Sequence, residues 1–208
     1  ALRSSNYVPN NSARDLVRVN SDAVGLVVRG VSNPFYADII KAIEREIDAA
    51  GYTMVMQQIG IAEDEIARGA MMEREKKLRG LIFLGGRSDC APEDMGTITV
   101  PFVCCSFTNS FGTLSRGEYS SVSIEDVGAA SRAVRELHRL GHRRIAALIS
   151  ETGDRSISEL RYHGYARALR EFGLEPDEAL VACAGSFGLH DAYAALGVGP
   201  VSYTHLTL

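Results

Sequence analysis

Two rhythms of apolar residues alternate along this chain. Short apolar runs of strand length alternate with longer segments in which apolar residues return every three or four positions, the spacing of one helix face. The run Ala-Val-Gly-Leu-Val-Val at 23–28 has no polar interruption. That suits a strand buried on both faces, as in a parallel sheet. Ser32-Asn33-Pro34 follows, a capping residue before a proline at the first helical position. Tyr36, Ile39, Ile40, Ile43, Ile47 and Ala50 then keep helical spacing until Gly51, a residue suited to stopping a helix. The pattern predicts a strand at 52–57 and a helix at 62–78. That helix has Glu63, Asp64 and Glu65 at its start and Lys76, Lys77 and Arg79 near its end, the order the helix dipole favours. Gly80 is read as its stop.

The same reading predicts strands at 81–84 and 101–107, with a short helical turn at 91–95 and a polar loop at 109–117. Extended structure resumes at 122–124. A helix is predicted at 126–140, a strand at 145–149, a helix at 157–172 closed by Gly173, a strand at 180–183 and a helix at 189–196. Strands alternating with helices predict an α/β fold with right-handed crossovers. The polar break near 109–122 divides the pattern into two halves, so two α/β lobes with a cleft between them are expected.

Composition narrows the class without naming it. The chain has 208 residues, 46% hydrophobic and 23% charged, ordinary for a globular protein with real cores. A formal net charge of −4 argues against the whole chain being an electrostatic DNA binder. The local exception is the start, where Arg3, Arg14 and Arg18 face only Asp15 within 1–20. No apolar run is long enough to span a bilayer, and the first residues lack a signal-peptide pattern. Cys90, Cys104, Cys105 and Cys183 lack zinc-type spacing. Cys104 and Cys105 are neighbours in an apolar strand, whose alternation points them to opposite faces. Buried, reduced thiols in a cytoplasmic protein are expected.

The stretch Tyr-Val-Pro-Asn-Asn-Ser-Ala-Arg-Asp-Leu at 7–16 precedes the first strand. Pro9 keeps any helix to its C-terminal side and Asn10 is a good cap. The remaining residues make under two turns, too few to be stable alone in water. By itself this stretch reads equally as a solvated linker or as a helix awaiting a partner. It resembles the hinge of lac/gal-type (LacI/GalR) bacterial transcriptional repressors. Further resemblances lie in Ser-Asn-Pro-Phe-Tyr at 32–36, Leu-Gly-His-Arg-Arg-Ile-Ala at 140–146 and Arg-Tyr-His-Gly-Tyr at 161–165. In that family the hinge joins a helix-turn-helix head to an effector-binding core and folds in the minor groove of operator DNA. The resemblance implies that Leu16 wedges between base pairs while Asn10 and Ala13 face the groove floor, and apolar wedges of this kind kink the duplex.

The resemblance also implies a division of the chain. Residues 1–20 would be the end of a DNA-binding head and the hinge helix, 21–122 the N-terminal lobe and 123–200 a partial C-terminal lobe. Val-Ser-Tyr-Thr-His-Leu at 201–206 looks like the in-frame translation of a transposon-end sequencing adapter. Residues 201–208 are therefore expected to be a non-native tail. The expected fold is a two-lobed, periplasmic-binding-protein-like α/β core, with parallel sheets flanked by helices and incomplete at its C-terminus.

Ligands of open α/β sheets bind outside the carboxyl ends of the strands. Here those positions are 29–33, 85–88, 106–108, 150–158 and 185–188. Phe35 and Tyr36 open the first helix, and Tyr36 reads equally as core packing or as ligand stacking; the family places ring contacts to the effector there. Arg161 matches the family's effector-binding arginine, and Arg155 is a second candidate in the loop before it. Phe187 matches an aromatic that stacks on the ligand in some relatives. Arg29, at the end of a buried strand, either binds an anionic group or pairs with a carboxylate. Ser106 stands where many relatives carry an acidic residue for a sugar hydroxyl. Losing that carboxylate near three arginines predicts a cleft tilted toward an anionic or less hydroxylated ligand.

Enzyme signatures do not emerge. Gly85-Gly86 lacks the dinucleotide pattern, and there is no phosphate loop or nucleophile elbow. Gly141 separates His138 from His142, which argues against a metal pair. The expectation is a ligand-responsive, DNA-binding regulator, usually a repressor. It would work as a cytoplasmic homodimer, with operator DNA and a sugar-like effector as partners and no cofactor, metal or membrane. The rival is a periplasmic or extracellular solute-binding protein of a sugar transporter, which would show a signal peptide and no hinge.

Overall fold

The computed structural model describes residues 22–30, 34–115, 117–153 and 155–197. The hinge residues Asn10, Ala13 and Leu16, the cap at 32–33 and the tail at 201–208 lie outside the described residues.

The first lobe is a parallel sheet of strands β1 (Ala23–Arg29), β2 (Thr53–Ile59), β3 (Gly80–Leu84), β4 (Phe102–Cys105) and β5 (Ser120–Val122), in the order β2-β1-β3-β4-β5. Leu26, Val27 and Val28 of the central β1 are at most 1% exposed, as expected of a strand covered on both sides. Odd and even positions serve different cores. Val27, Leu81, Phe83 and Cys104 face helix α2 (Glu65–Lys76) with Ile66 and Met72. Leu26, Val28 and Leu84 face helix α1 (Tyr36–Ala49), where Tyr36, Ile39, Ile40 and Ile43 cover them. Cys104 and Cys105 fall into these two different clusters, as alternation predicts.

Helix α2 is shorter than the apolar pattern predicts, at both ends. Asp64 caps it, accepting hydrogen bonds from the backbone N–H of Ile66 at 2.9 Å and of Ala67 at 3.0 Å. Its stop is Lys77 in the left-handed region at φ 51°, ahead of Gly80. Leu78 must leave the helix to bury itself at 2% exposure. A four-residue helix α3 (Pro92–Met95) precedes β4. Strand β5 starts two residues earlier than the apolar pair Val122 and Ile124 suggests. Its register is set by pairing, Val103 with Ser120 and Cys105 with Val122, and both apolar side chains are exposed.

The second lobe pairs helix α4 (Asp126–Arg139) with helix α5 (Ile157–Glu171) over strands β6 (Ala147–Ile149) and β7 (Val181–Cys183), which are parallel. A 3-10 turn at Glu178–Leu180 leads into β7, and helix α6 (Leu189–Gly197) follows it. The strand predicted from 145 begins only at 147. Ile145 is buried outside the ladder, and its carbonyl accepts a 2.8 Å hydrogen bond from the Tyr165 hydroxyl. Helices α4 and α5 cross at Gly164, where a Cβ would lie 2.1 Å from the Val127 carbonyl oxygen. The Ser131 hydroxyl donates to the Gly164 carbonyl at 2.8 Å across the same crossing. His138 stacks on Phe172 with ring centroids 3.7 Å apart.

Candidate functional site

The carboxyl ends of strands from both lobes line one cavity of about 260 Å³. Arg29 and Gly30 come from the end of β1, and Gly85, Gly86 and Arg87 from the end of β3. Ser150 and Glu151 follow β6, and Gly185, Ser186 and Phe187 follow β7. Such crevices are where open α/β sheets take small molecules. The first turn of α1 supplies Tyr36, and the loop before α5 supplies Arg155.

Tyr36 sits against the turn after β3. A Cβ at Gly85 would lie 2.5 Å from the Tyr36 hydroxyl and 3.0 Å from the Arg29 carbonyl oxygen, and Gly85 has φ +70°. Glycine is therefore required there on two counts. Burial raises the Tyr36 pKa above its ordinary value, the Cys105 thiol adding to the rise. Arg161, Arg29 and a hydrogen bond with Ser106 oppose this. Tyr36 thus offers a neutral hydroxyl to the cavity at ordinary pH.

The charges come in matched pairs. Glu65, fully buried at the start of α2, has Oε2 3.5 Å from Arg29 Nε. Its Oε1 accepts from the Arg87 backbone N–H at 2.7 Å. Arg29 also donates to the Ile61 carbonyl. Arg155 Nη1 lies 3.9 Å from Asp89 Oδ2 across the cleft. Arg161 donates from Nε to Asp126 Oδ1 at 2.8 Å, and the Asp126 side chain is 4% exposed.

Of the residues singled out in the sequence, the structure brings Arg29, Tyr36, Arg155 and Phe187 together on the cavity wall. Ser106 reaches it through its bond to Tyr36. Phe35 is 60% exposed beside Tyr36, with ring centroids 6.0 Å apart, and lies outside the lining. Arg161 also lies outside the lining and is held by Asp126. Of the two alternatives for Arg29, it pairs with a carboxylate, that of Glu65. Arg155 and Arg161 also face carboxylates, Asp89 and Asp126.

Two non-glycine residues at the site occupy the left-handed region, Ser106 at φ 69° and Arg155 at φ 53°. Such conformations persist where surrounding contacts hold them. Here the Ser106 N–H donates to the Val122 carbonyl at 2.8 Å and the Arg155 N–H to Glu159 Oε2 at 2.7 Å. Sequence reasoning covered Arg87 and Glu151 in its strand-end segments without singling them out, and missed Asp89 and the organising role of Glu65. Asp89 lies one residue beyond the predicted carboxyl-end segment. Glu65 was legible in principle, since it falls on the buried stripe of Ile66, Gly69, Ala70, Met72 and Glu73. Among the described residues, no cluster of His, Cys, Asp and Glu is arranged to hold a metal ion.

Two parallel-sheet lobes with a cavity at their strand ends define a ligand-binding core of the periplasmic-binding-protein class. The chain belongs to the family of periplasmic binding proteins and sugar-binding domains of LacI-type regulators, whose model matches residues 21–196. It is 36% identical over 196 residues to the HTH-type transcriptional regulator MalR of Clostridium butyricum, covering 92% of this chain and 57% of the relative. It is 30% identical over 207 residues to the HTH-type transcriptional regulator CelR of Thermobifida fusca, covering 94% of this chain and 58% of the relative. The chain thus spans under two thirds of these curated relatives. Among solved structures, a complex of the transcriptional regulator CelR with cellobiose superposes with a TM-score of 0.64 at 24% identity, covering 94% of this chain and 64% of that one. That likeness shows the fold.

Proposed function

We propose that this chain is the effector-binding core of a ligand-responsive, DNA-binding transcriptional regulator, and that its cleft takes a neutral, hydroxyl-rich saccharide. The observation that carries the ligand class is the balance of charge. On the cavity wall Arg29 faces the buried Glu65, Arg87 and Arg155 both approach Asp89, and Glu151 adds a further carboxylate. Paired arginines and carboxylates offer donors and acceptors to hydroxyls with little net field for an anion. The cellobiose bound in the CelR structure is a ligand of this class.

In this reading Arg29, Tyr36, Arg155 and Phe187 contact the ligand, and Ser106 orients the Tyr36 hydroxyl. Phe35 and Arg161 join when the lobes close further. Lobe 21–122 and partial lobe 123–200 change their angle with ligand, and in a homodimer that angle sets the spacing of the two hinges. Asn10, Ala13 and Leu16 contact the operator minor groove from those hinges. The protein works in the cytoplasm and binds its ligand without turning it over. No helix among the described residues is long and apolar enough to cross a membrane. The names of the relatives favour this reading over a transporter's solute-binding protein.

The test is isothermal titration of the chain with cellobiose against cellobiouronic acid, which keeps both pyranose rings and carries a carboxylate. Neutral saccharide is expected to bind the more tightly, and Y36F to weaken it. Tighter binding of the acid would overturn the ligand class.

A further inference from the structure

Two contacts cross between the lobes beside the cleft, and one second-lobe carboxylate approaches the second-lobe end of each. The first is the pair of Asp89 and Arg155, at 3.9 Å. In the second, the Phe111 ring meets the His163 imidazole edge-on, with centroids 6.4 Å apart and planes inclined by 64°. Glu159 on α5 joins them. Its Oε2 accepts from the Arg155 N–H at 2.7 Å, and its Oε1 lies 3.6 Å from His163 Nε2. On the first-lobe side, the Phe111 N–H donates to the Ser88 carbonyl at 2.7 Å, one residue from Asp89. These contacts run in a ring through Asp89, Arg155, Glu159, His163, Phe111 and Ser88 and cross between the lobes twice, the approach of Glu159 to His163 at 3.6 Å being a contact rather than a hydrogen bond.

The first-lobe arc of this ring is fixed. The Asn109 side chain accepts from the Cys90 N–H at 2.7 Å and donates to the carbonyls of Cys90 at 2.8 Å and Leu114 at 3.2 Å. That locks the loop carrying Phe111 to the loop carrying Asp89. On the second-lobe arc, the bond to Glu159 holds Arg155 in its left-handed conformation. Each crossing is weak alone, because the Arg155 side chain is 61% exposed and water screens its pair with Asp89. Together they restrain the lobe angle, since swinging the lobes apart breaks both. Asp89 and Arg155 line the cavity, whereas Phe111, Glu159 and His163 do not.

We propose that Phe111, Glu159 and His163 are positioning residues for ligand binding. They hold Arg155 opposite Asp89 and set the closed lobe angle without touching the ligand. The affinity half of this proposal rests on the cleft being the ligand site; the lobe-angle half does not.

The test measures the two halves separately in the full chain. Spin labels on the exposed Cys183 and on an M56C variant, in a C105A background, report the interlobe distance by double electron–electron resonance. F111A and E159A are each expected to broaden the distance distribution toward longer values, and F111Y and E159Q, which keep the aromatic ring and the acceptor for Arg155, to keep it narrow. The F111A/E159A double variant is expected to match the worse single one, because one break opens the ring. In parallel titrations with cellobiose, F111A and E159A are each expected to bind about three- to tenfold more weakly. If F111A folds poorly, E159A decides, since it removes only the carboxylate beside Arg155 and His163. Unchanged distance distributions in E159A and in a folded F111A overturn the proposal. If the unsubstituted cleft binds no saccharide while the distributions still broaden, the saccharide reading fails and the ring stands.

Discussion

Replacing Glu65 by alanine separates a buried charge organiser from a surface ion pair. Glu65 is fully buried, faces Arg29 at 3.5 Å and accepts the Arg87 N–H at 2.7 Å. Removing one partner of a buried pair costs about 3–5 kcal/mol, because the other charge is left uncompensated. The Arg29 side chain is 19% exposed and keeps its bond to the Ile61 carbonyl, which moves the expectation to the lower end of that range. The stranded Arg87 N–H adds about 1 kcal/mol. E65A is therefore expected to lose about 3–4 kcal/mol. The comparison is E171A, which breaks the two-bond pair of Arg135 and Glu171, whose side chains are 44% and 40% exposed. That loss is expected to be far smaller, because water screens both side chains. Urea unfolding followed by circular dichroism reads both. With a slope of about 2–3 kcal/mol/M, E65A shifts the midpoint by about 1–2 M and E171A by far less. E65Q, which keeps an acceptor for Arg87, is expected to fall between them. An E65A shift no larger than that of E171A would refute the assignment of Glu65 as the organiser of the cleft arginines.

Three further predictions follow from packing and titration. G164A places a methyl 2.1 Å from the Val127 carbonyl oxygen and 2.9 Å from the Ala130 Cβ. It should destabilise the α4–α5 pair by about 1–3 kcal/mol or more, read as a lower melting temperature. Burial pushes the thiols of Cys90 and Cys104 up to about 11 and about 12. A thiol reagent at mildly alkaline pH should therefore titrate the exposed Cys183 first, with Cys90 and Cys104 reacting only on unfolding. Desolvation, and secondarily Arg143, lowers the His138 pKa below its ordinary 6.5. The unfolded chain then binds the proton more readily, so this contribution to stability is complete above that value and is lost as pH falls through it. H138F, which keeps the stack on Phe172, should flatten the fall of the urea midpoint on acidification.

The sequence by itself determined the order and kind of nearly every strand and helix. A buried parallel strand must be continuously apolar, and a covering helix must repeat every three to four residues. Val27 and Leu26 pointing to different cores, and Cys104 and Cys105 doing the same, follow from strand alternation alone. Element ends were less legible. Lys77 stops α2, and β5 begins at Ser120, because Leu78 must reach the core and β4 dictates the register. Neither cause is local.

The candidate site divides in the same way. Strand carboxyl ends located the cleft and brought Arg29, Arg155 and Phe187 within reach, while Tyr36 came from the resemblance of 32–36 to the family. Which charges neutralise which was decided only by tertiary structure. Glu65 lies 36 positions from Arg29 in the sequence, and Arg155 lies 66 from Asp89. A single sequence carries the charges of those residues and not their distances. It named the arginines near the cleft, and only the folded chain shows that Glu65, Asp89 and Asp126 face them.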